Sequence, residues 1–146
     1  MPKPETVRIR GKDVPIRTDS TDPSREILDY GTKLWWIEEG FPGTYTVTQK
    51  DRSESGHENA AGFEIKYNGE VTLRIGGNTY SGRVKDTRYF AELAEVELFP
   101  ENGQEPFALF FDCYVNDDLT EDPDRIEINM PDAPDGIPND LFMTRE

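Results

Sequence analysis

The chain contains one histidine and one cysteine, the two side chains best suited to acid–base or nucleophilic chemistry near neutral pH. His57 lies in a polar stretch, residues 51–58, among serines and carboxylates. A catalytic triad needs three groups that a rigid scaffold brings together, whereas these are neighbours along one loop. Cys113 follows Asp112 at the end of an apolar run, where a small buried thiol is the usual outcome. Neither His57 nor Cys113 has an identifiable catalytic partner, so the sequence predicts a protein that is not an enzyme.

Acidic side chains are concentrated in the run from Asp117 to Asp124. Side-chain oxygens at such short intervals are typical of sites for hard cations such as calcium. In an EF-hand loop counted from Asp118, however, Pro123 stands at the position that requires glycine. We therefore interpret the run as a solvated acidic loop and predict no metal site.

The segment that contains this run carries most of the net charge. Residues 116–146 hold ten acidic residues against two arginines, which contributes −8 to a net charge of −14. Such a field repels phosphate backbones and anionic membrane surfaces and attracts basic partners. The charge disfavours direct binding of nucleic acid and favours a protein partner with a basic surface. An alternative explanation is that the acidity keeps the protein soluble in high salt.

Two adjacent tryptophans, Trp35 and Trp36, are candidates for the floor of a ligand pocket, because aromatic rings combine a large contact area with a polar group. The alternative is that one ring belongs to the core and the other covers it. No glycine pattern of the phosphate-binding kind precedes a helix. The sequence therefore implies no nucleotide cofactor, and we predict none of any kind.

The elements that position these residues are mostly short strands. Residues 5–17 alternate in polarity around a turn at 11–13, which predicts a β-hairpin, and Pro15 indicates that its second strand is an edge strand. Residues 23–38 favour an amphipathic helix. Residues 34–37 are equally compatible with a buried strand.

Downstream of Phe41 the pattern is typical of β-structure. Asn68–Gly69 and Gly76–Gly77 are turn signals between alternating runs. Residues 49–59 are predicted to form a polar loop. The most continuously apolar run, Phe107–Phe111, is predicted to be a central core strand. The strands are expected near residues 44–48, 63–67, 71–75, 79–84, 93–98, 107–111 and, last in the chain, 125–130.

About eight strands joined by short turns predict one mainly β domain over residues 1–146, closed as an antiparallel β-barrel or sandwich meander with one short N-terminal helix. At the level of architecture, this arrangement resembles lipocalin-type barrels, but no motif identifies a family. Residues 1–4 and about 132–146 are expected to be mobile. In the second segment, the apolar trio Leu141, Phe142 and Met143 either packs across one end of the barrel or inserts into a partner's groove as a docking peptide.

These expectations combine into a non-catalytic acidic binding protein that engages a protein partner through its C-terminal third. The predicted contact residues are Asp117, Asp118, Glu121, Asp122, Asp124, Leu141, Phe142 and Met143. Three alternatives stay open: an inhibitor that mimics nucleic acid on a nucleic-acid-handling protein of the host-defence type, a barrel that binds a small apolar ligand, and an enzyme that uses paired carboxylates.

The expected cellular compartment of the protein follows from features that the sequence lacks. No run approaches the roughly 18 apolar residues that span a bilayer, and no apolar stretch follows the N-terminus as in a signal peptide. The lone cysteine excludes an internal disulfide. We therefore expect a cytoplasmic protein without a membrane partner. The sequence does not indicate its oligomeric state.

Overall fold

A computed structural model describes residues 5–55, 61–90 and 94–146 of the chain. Within these ranges the chain forms eleven strands and two short helices. The helices are α1 (Trp35–Glu38) and α2 (Gln49–Ser55), and the strands are β1 (Thr6–Ile9), β2 (Lys12–Thr18), β3 (Glu26–Leu28), β4 (Gly43–Thr46), β5 (Ala61–Ile65), β6 (Glu70–Ile75), β7 (Asn78–Arg83), β8 (Ala94–Pro100), β9 (Phe107–Val115), β10 (Glu121–Asn129) and β11 (Asp140–Arg145).

Eight antiparallel strands, β4 to β11, form a closed barrel in which each strand pairs with the next one along the chain. The barrel closes where β11 pairs with β4, through Thr144 opposite Thr46 and Arg145 opposite Tyr45. Closure removes the free edges that an open sheet of this size would expose. The predicted mainly β antiparallel meander is confirmed, and of the two predicted closures, barrel and sandwich, the structure has the barrel.

Both predicted hairpin turns in the middle of the chain are present. Ile75 lies opposite Asn78, which leaves Gly76 and Gly77 as a two-residue turn with φ angles of 59° and 78°. Positive φ at both turn positions twists the chain in the direction that the flanking strands require, and glycine adopts it without steric strain. The Asn68–Gly69 step likewise joins β5 to β6.

The barrel interior is a packed aromatic and aliphatic core. In β9 the side chains of Phe107, Leu109 and Phe111 are buried, whereas those of Ala108 and Phe110 are half-buried on the outer face. The core position of the Phe107–Phe111 run is confirmed, but β9 is one of eight equivalent strands of a closed barrel and has no central position in a sheet. A barrel strand has an inner and an outer face even where its sequence is apolar throughout.

The predicted N-terminal hairpin is present, but it belongs to a separate sheet with the strand order β1-β2-β3. The prediction that Pro15 marks an edge strand is wrong, because β2 lies in the middle. Pro15 faces the very end of β3, where its carbonyl accepts a hydrogen bond from the Asp29 N–H at 2.7 Å. Proline has no N–H, so one hydrogen bond between β2 and β3 is missing. Because this bond would lie at the very end of the pairing between the two strands, a proline fits in the middle strand.

The predicted helix over residues 23–38 is wrong except for the single turn of α1. The Asp22 carboxylate accepts hydrogen bonds from the Ser24 N–H and hydroxyl, which forms a local turn and not a helix start. Ile27 then pairs with Arg17 of β2. Pairing with a strand that is distant in sequence therefore outweighs the helical periodicity of this segment.

The predicted loop over residues 49–59 contains α2 as far as the structure describes it. Thr48 and Asp51 cap this helix reciprocally: the Thr48 hydroxyl accepts from the Asp51 N–H at 3.2 Å, and the Asp51 carboxylate accepts from the Thr48 N–H at 3.0 Å. The buried Asp51 also accepts hydrogen bonds from Arg125 of β10 and Thr144 of β11. These bonds hold α2 against the outside of the barrel.

The last strand in the described part of the chain is β11, and not the run over residues 125–130, which lies in β10 as far as residue 129. Residues 140–145 belong to the segment that was expected to be mobile, yet β11 pairs with β10 on one side and with β4 on the other. This part of the chain is thus an integral strand of the barrel.

Candidate functional site

The acidic run predicted to contact a partner forms part of the turn between β9 and β10 and the first residues of β10. Asn116 and Thr120 close this turn, because the Asn116 N–H donates to the Thr120 carbonyl at 2.8 Å. The Asp118 carboxylate accepts hydrogen bonds from the Thr120 N–H at 3.1 Å and from its hydroxyl at 2.5 Å. These bonds stabilise the charged carboxylate and lower the pKa of Asp118. The acidic turn is therefore held by internal hydrogen bonds.

Leu119 lies at the tip of this turn with 84% of its surface exposed. Its φ angle is 68°, in the left-handed region that a leucine rarely adopts. The Leu119 N–H donates to the Asn116 carbonyl at 2.9 Å, which fixes the backbone in this conformation. The turn thus presents a large apolar side chain to solvent at the expense of backbone strain.

Five predicted acidic contact residues lie together on this hairpin, either in the turn or in the first part of β10. They are Asp117, Asp118, Glu121, Asp122 and Asp124. Four of them are exposed and Asp122 is half-buried. Glu121 lies 3.7 Å from the Arg10 guanidinium, and Asp124 lies 3.8 Å from that of Arg145. The structure therefore brings the predicted acidic residues into one patch, which we call the β9–β10 hairpin patch, together with Leu119.

The apolar trio of the C-terminal segment is not part of this patch. Leu141 and Met143 are completely buried inside the barrel. Phe142 points to the outer face, where its ring lies 5.4 Å from that of Tyr114 in an edge-to-face arrangement. Insertion of Leu141 and Met143 into a partner's groove would require β11 to leave the barrel. The segment completes the barrel wall and does not pack across one end of the barrel, so Leu141 and Met143 are not accessible to a partner in this structure, whereas a contact role for Phe142 stays a prediction.

The tryptophan pair lies in the core beneath one end of the barrel. Trp35 and Trp36 each expose only 2% of their surface. The Trp35 indole N–H donates to the Lys85 carbonyl at 2.8 Å, and its ring lies 6.0 Å from that of Phe41 and 6.3 Å from that of Phe111. Both tryptophan rings therefore belong to the packed core, together with Phe41 and Phe111.

A network of charges lies at the same end of the barrel. The Arg88 guanidinium contacts both carboxylate oxygens of Glu39 through Nη1, and its Nη2 lies 3.1 Å from the carboxylate of Asp112. The side chains of Arg88 and Glu39 expose 7% and 3% of their surface. Burial raises the pKa of Glu39 because desolvation outweighs the attraction of Arg88. The burial of this network indicates a structural role: it links Glu39, which precedes the first barrel strand β4, to Asp112 of the barrel strand β9.

Arg10 lies between this network and the hairpin patch. Its guanidinium stacks on Phe41, 4.6 Å from the ring centroid, and donates to the Glu39 carbonyl. Arg10 and Arg8 also line a cavity of about 480 Å³, together with Leu119 and Pro123. Sequence reasoning missed both Leu119 and this cavity. An isolated leucine between acidic residues of a turn was the available signal for the first, whereas the cavity depends on two segments that are distant in sequence.

Of the two residues considered for catalysis, the structure describes only Cys113. Cys113 is buried, and its Sγ lies 2.9 Å from the Glu121 carboxylate. Burial and this carboxylate raise the pKa of the Cys113 thiol, which disfavours the nucleophilic thiolate. His57 lies outside the described residues.

Neither a metal-ligand cluster nor a membrane-spanning helix is found among residues 5–55, 61–90 and 94–146. Among those residues, no group of three or more histidine, cysteine, aspartate or glutamate side chains is arranged to hold a metal ion. Over the same ranges, neither helix has the length and apolar character needed to cross a bilayer.

Comparison with known proteins adds no relative: no family model matches the chain, and no curated protein or solved structure is significantly similar to it.

Proposed function

We propose that this chain is a non-catalytic binding protein that engages a basic protein partner through the β9–β10 hairpin patch. The observation that carries the proposal is Leu119, which is 84% exposed at the tip of a hydrogen-bonded turn and is surrounded by carboxylates. An apolar anchor with a charged rim is the arrangement in which the anchor contributes most of the affinity and the rim steers the encounter.

The strain at Leu119 supports the same proposal. A leucine in the left-handed region destabilises the folded chain by roughly 1–2 kcal/mol, and glycine or asparagine would relieve this strain. The exposed side chain makes no compensating contribution to the core. A binding role would explain why leucine occupies this position, because burial of a leucine side chain against a partner contributes about 1.5–3 kcal/mol.

The outer face of β9 and β10 also carries acidic side chains, which favour a cationic partner. Glu127 of β10 lies directly opposite Asp112 of β9, and their like charges repel, although Arg88 at 3.1 Å from Asp112 offsets part of this repulsion. Burial and the charges of Asp140 and Asp112 raise the pKa of Glu127. A basic surface docked here would relieve this repulsion.

The same cluster of carboxylates keeps the nucleic-acid mimic as a second proposal, since a mimic is also an acidic protein with a basic partner. The two proposals differ in which groove of the partner is occupied. A mimic competes with the partner's own DNA or RNA, whereas a ligand of another surface does not. The partner's function then follows from the outcome of that competition.

The experiment uses the full chain as bait and measures the kinetics of the captured partner against salt. Leu119→Asn removes the anchor and keeps the left-handed backbone, so we expect dissociation to accelerate about tenfold to a hundredfold at an unchanged association rate. Asp117→Asn removes one rim charge, so association should slow and depend less on salt. Glu101→Gln makes the same charge change in the exposed β8–β9 turn and is the matched control.

Equal kinetics for wild type, Leu119→Asn and Asp117→Asn would contradict the proposal. If the association rate does not change with salt concentration, the acidity is better explained by its effect on solubility. Displacement of the protein by nucleic acid would select the mimic.

A further inference from the structure

Two residues other than glycine in the described part of the chain have a left-handed backbone conformation, and both line the same cavity. They are Arg10, with a φ angle of 47°, and Leu119, with a φ angle of 68°. The volume of this cavity, about 480 Å³, lies in the range of pockets that bind small molecules. Strained residues of this kind cluster at sites that hold ligands. Their position around one cavity marks it as a candidate binding site.

The strain at Arg10 arises in the turn between β1 and β2. Ile9 lies opposite Lys12, which leaves Arg10 and Gly11 as a two-residue turn with positive φ at both positions. Asparagine or aspartate is the usual residue before glycine in such a turn, because a short polar side chain tolerates the left-handed region. The turn alone therefore does not require an arginine, and the reason for one lies in the contacts of its side chain.

The Arg10 guanidinium uses only part of its hydrogen-bonding capacity. Its Nη1 donates to the Glu39 carbonyl, and its plane stacks on the ring of Phe41. Its Nε and Nη2 are buried and have no hydrogen-bond partner among the described residues. The Glu121 carboxylate lies 3.7 Å from Nε, which is beyond hydrogen-bond distance. Because buried polar atoms are nearly always hydrogen-bonded, this unpaired fork of two N–H groups indicates a position for a ligand oxygen.

The charge of the cavity lining differs in sign from that of the whole chain. Arg8 and Arg10 against Glu121 give the lining a net charge of +1, whereas the chain carries −14. Arg8 also contacts Asp13 at 3.0 Å, but both side chains are largely exposed, so this ion pair is weak. A single net positive charge suits a monoanion better than a phosphate with a charge near −2. A carboxylate is a monoanion, and its two oxygens match the fork of a guanidinium.

We propose that this cavity binds a carboxylate that carries an apolar group. The carboxylate accepts hydrogen bonds from Nε and Nη2 of Arg10, and the apolar group packs against Leu119 and Pro123, which line the same cavity. Glu121, whose side chain is 35% exposed, turns towards solvent when the ligand carboxylate takes its place beside Arg10. Two sources supply this chemistry: a small carboxylic acid, and the free C-terminus of a peptide that ends in an apolar residue.

The test titrates the full chain, labelled with ¹⁵N, with isocaproate and separately with the peptide acetyl-Gly-Gly-Leu. Binding should shift the NMR signals of the Gly11 and Leu119 amides and of the Arg10 Nε–H. Isocaproamide and the peptide with an amidated C-terminus keep the apolar group without the charge. They should bind at least about tenfold more weakly than the acids, because hydrogen bonds to a charged group are lost.

Glu121→Gln gives the sharpest prediction, because it removes the like charge beside the ligand and should tighten binding of isocaproate by about twofold to tenfold. Arg10→Lys keeps the charge but loses the fork, so it should weaken binding by about tenfold. If Arg10→Lys unfolds, Arg8→Gln at an exposed position takes its place, with an expected loss of about twofold to fivefold. Arg74→Gln, on the exposed face of β6, is the matched control and should change nothing.

The sign of the Glu121→Gln effect also separates this proposal from the proposed function. For a basic protein partner, the same variant loses a rim charge of the hairpin patch, so association should slow. Capture of such a partner and binding of the carboxylates are independent measurements, and each can fail while the other succeeds.

Tighter binding in Glu121→Gln, together with weaker binding of the two amides, would support the proposal. The ligand is then a small carboxylic acid if isocaproate binds as tightly as the peptide, and a peptide C-terminus if the peptide binds more tightly. Equal affinities of the acids and their amides would overturn the proposal, as would weaker binding in Glu121→Gln. The absence of any shift with both acids at millimolar concentration would overturn it as well, and water alone would then satisfy Arg10.

Discussion

The buried ion pair between Arg88 and Glu39 leads to a quantitative prediction for Arg88→Met. Methionine keeps much of the side-chain volume but leaves the Glu39 carboxylate, which exposes 3% of its side chain, without its cation. An uncompensated charge of this kind destabilises a protein by about 3–5 kcal/mol. Glu39 can avoid the penalty by taking up a proton on folding, and the free energy needed for this sets the expected magnitude.

That free energy depends on pH. The ordinary pKa of the Glu39 carboxyl is 4.5, and each pH unit above it adds about 1.4 kcal/mol to the cost of protonation. The loss in Arg88→Met should therefore be about 3 kcal/mol near pH 7 and about 1 kcal/mol near pH 5. The sign follows from a folded-state pKa that is raised: protonation stabilises the folded chain at low pH, and this contribution is lost as the pH rises through the folded-state value. Arg88→Met raises the pKa further because the attraction of the guanidinium is gone.

Chemical denaturation at the two pH values measures the effect, with Arg74→Met as a control because Arg74 is exposed on β6. The control should change the free energy of unfolding by less than about 0.5 kcal/mol. Adding Glu39→Gln to Arg88→Met should remove the additional pH dependence. The reasoning is refuted if Arg88→Met is destabilised equally at both pH values, or if the double variant keeps the pH dependence of the single one.

Two further predictions concern the core and catalysis. Leu109→Ala should destabilise the chain by about 2–5 kcal/mol because Leu109 is completely buried, whereas Phe110→Ala should have a clearly smaller effect because Phe110 is half-buried on the outer face; equal unfolding midpoints for the two variants would contradict this assignment. His57→Ala and Cys113→Ser should both leave partner binding unchanged, since the proposed function needs neither a base nor a nucleophile and a serine hydroxyl can still donate to Glu121. Loss of binding in either variant, with the unfolding midpoint preserved, would count against a non-catalytic role.

Local turn chemistry explains why part of the fold was predictable. The Asn68–Gly69 and Gly76–Gly77 steps supply backbone conformations that few other residues adopt, and the runs around them alternate with the period of a strand. β11 escaped prediction for the opposite reason. Its three consecutive apolar residues, 141–143, show no alternation, and the strand forms because β10 and β4 flank it on both sides.

The residues of the candidate site were also predictable only where the prediction depended on neighbours in sequence. The acidic run from Asp117 to Asp124 was identifiable because its residues are adjacent in sequence and remain adjacent in a turn. The assignment of Leu141 and Met143 as contact residues depended on their being outside the core, and the closed barrel buries them. Leu119 is the large apolar residue that this hairpin exposes, and its isolated position between acidic residues of the turn was the signal that the sequence offered for it.

By itself, the sequence determined the strand meander, the central hairpin turns and the placement of negative charge in the last part of the chain, because each depends on residues within a few positions of one another. Only the tertiary structure decided the separation of the N-terminal sheet from the barrel, the closure of β11 on β4 and the cavity that Arg8 and Arg10 line together with Leu119. Each of these joins segments that are far apart in the chain. Their free energy comes from burial and pairing between distant strands, which local periodicity does not encode.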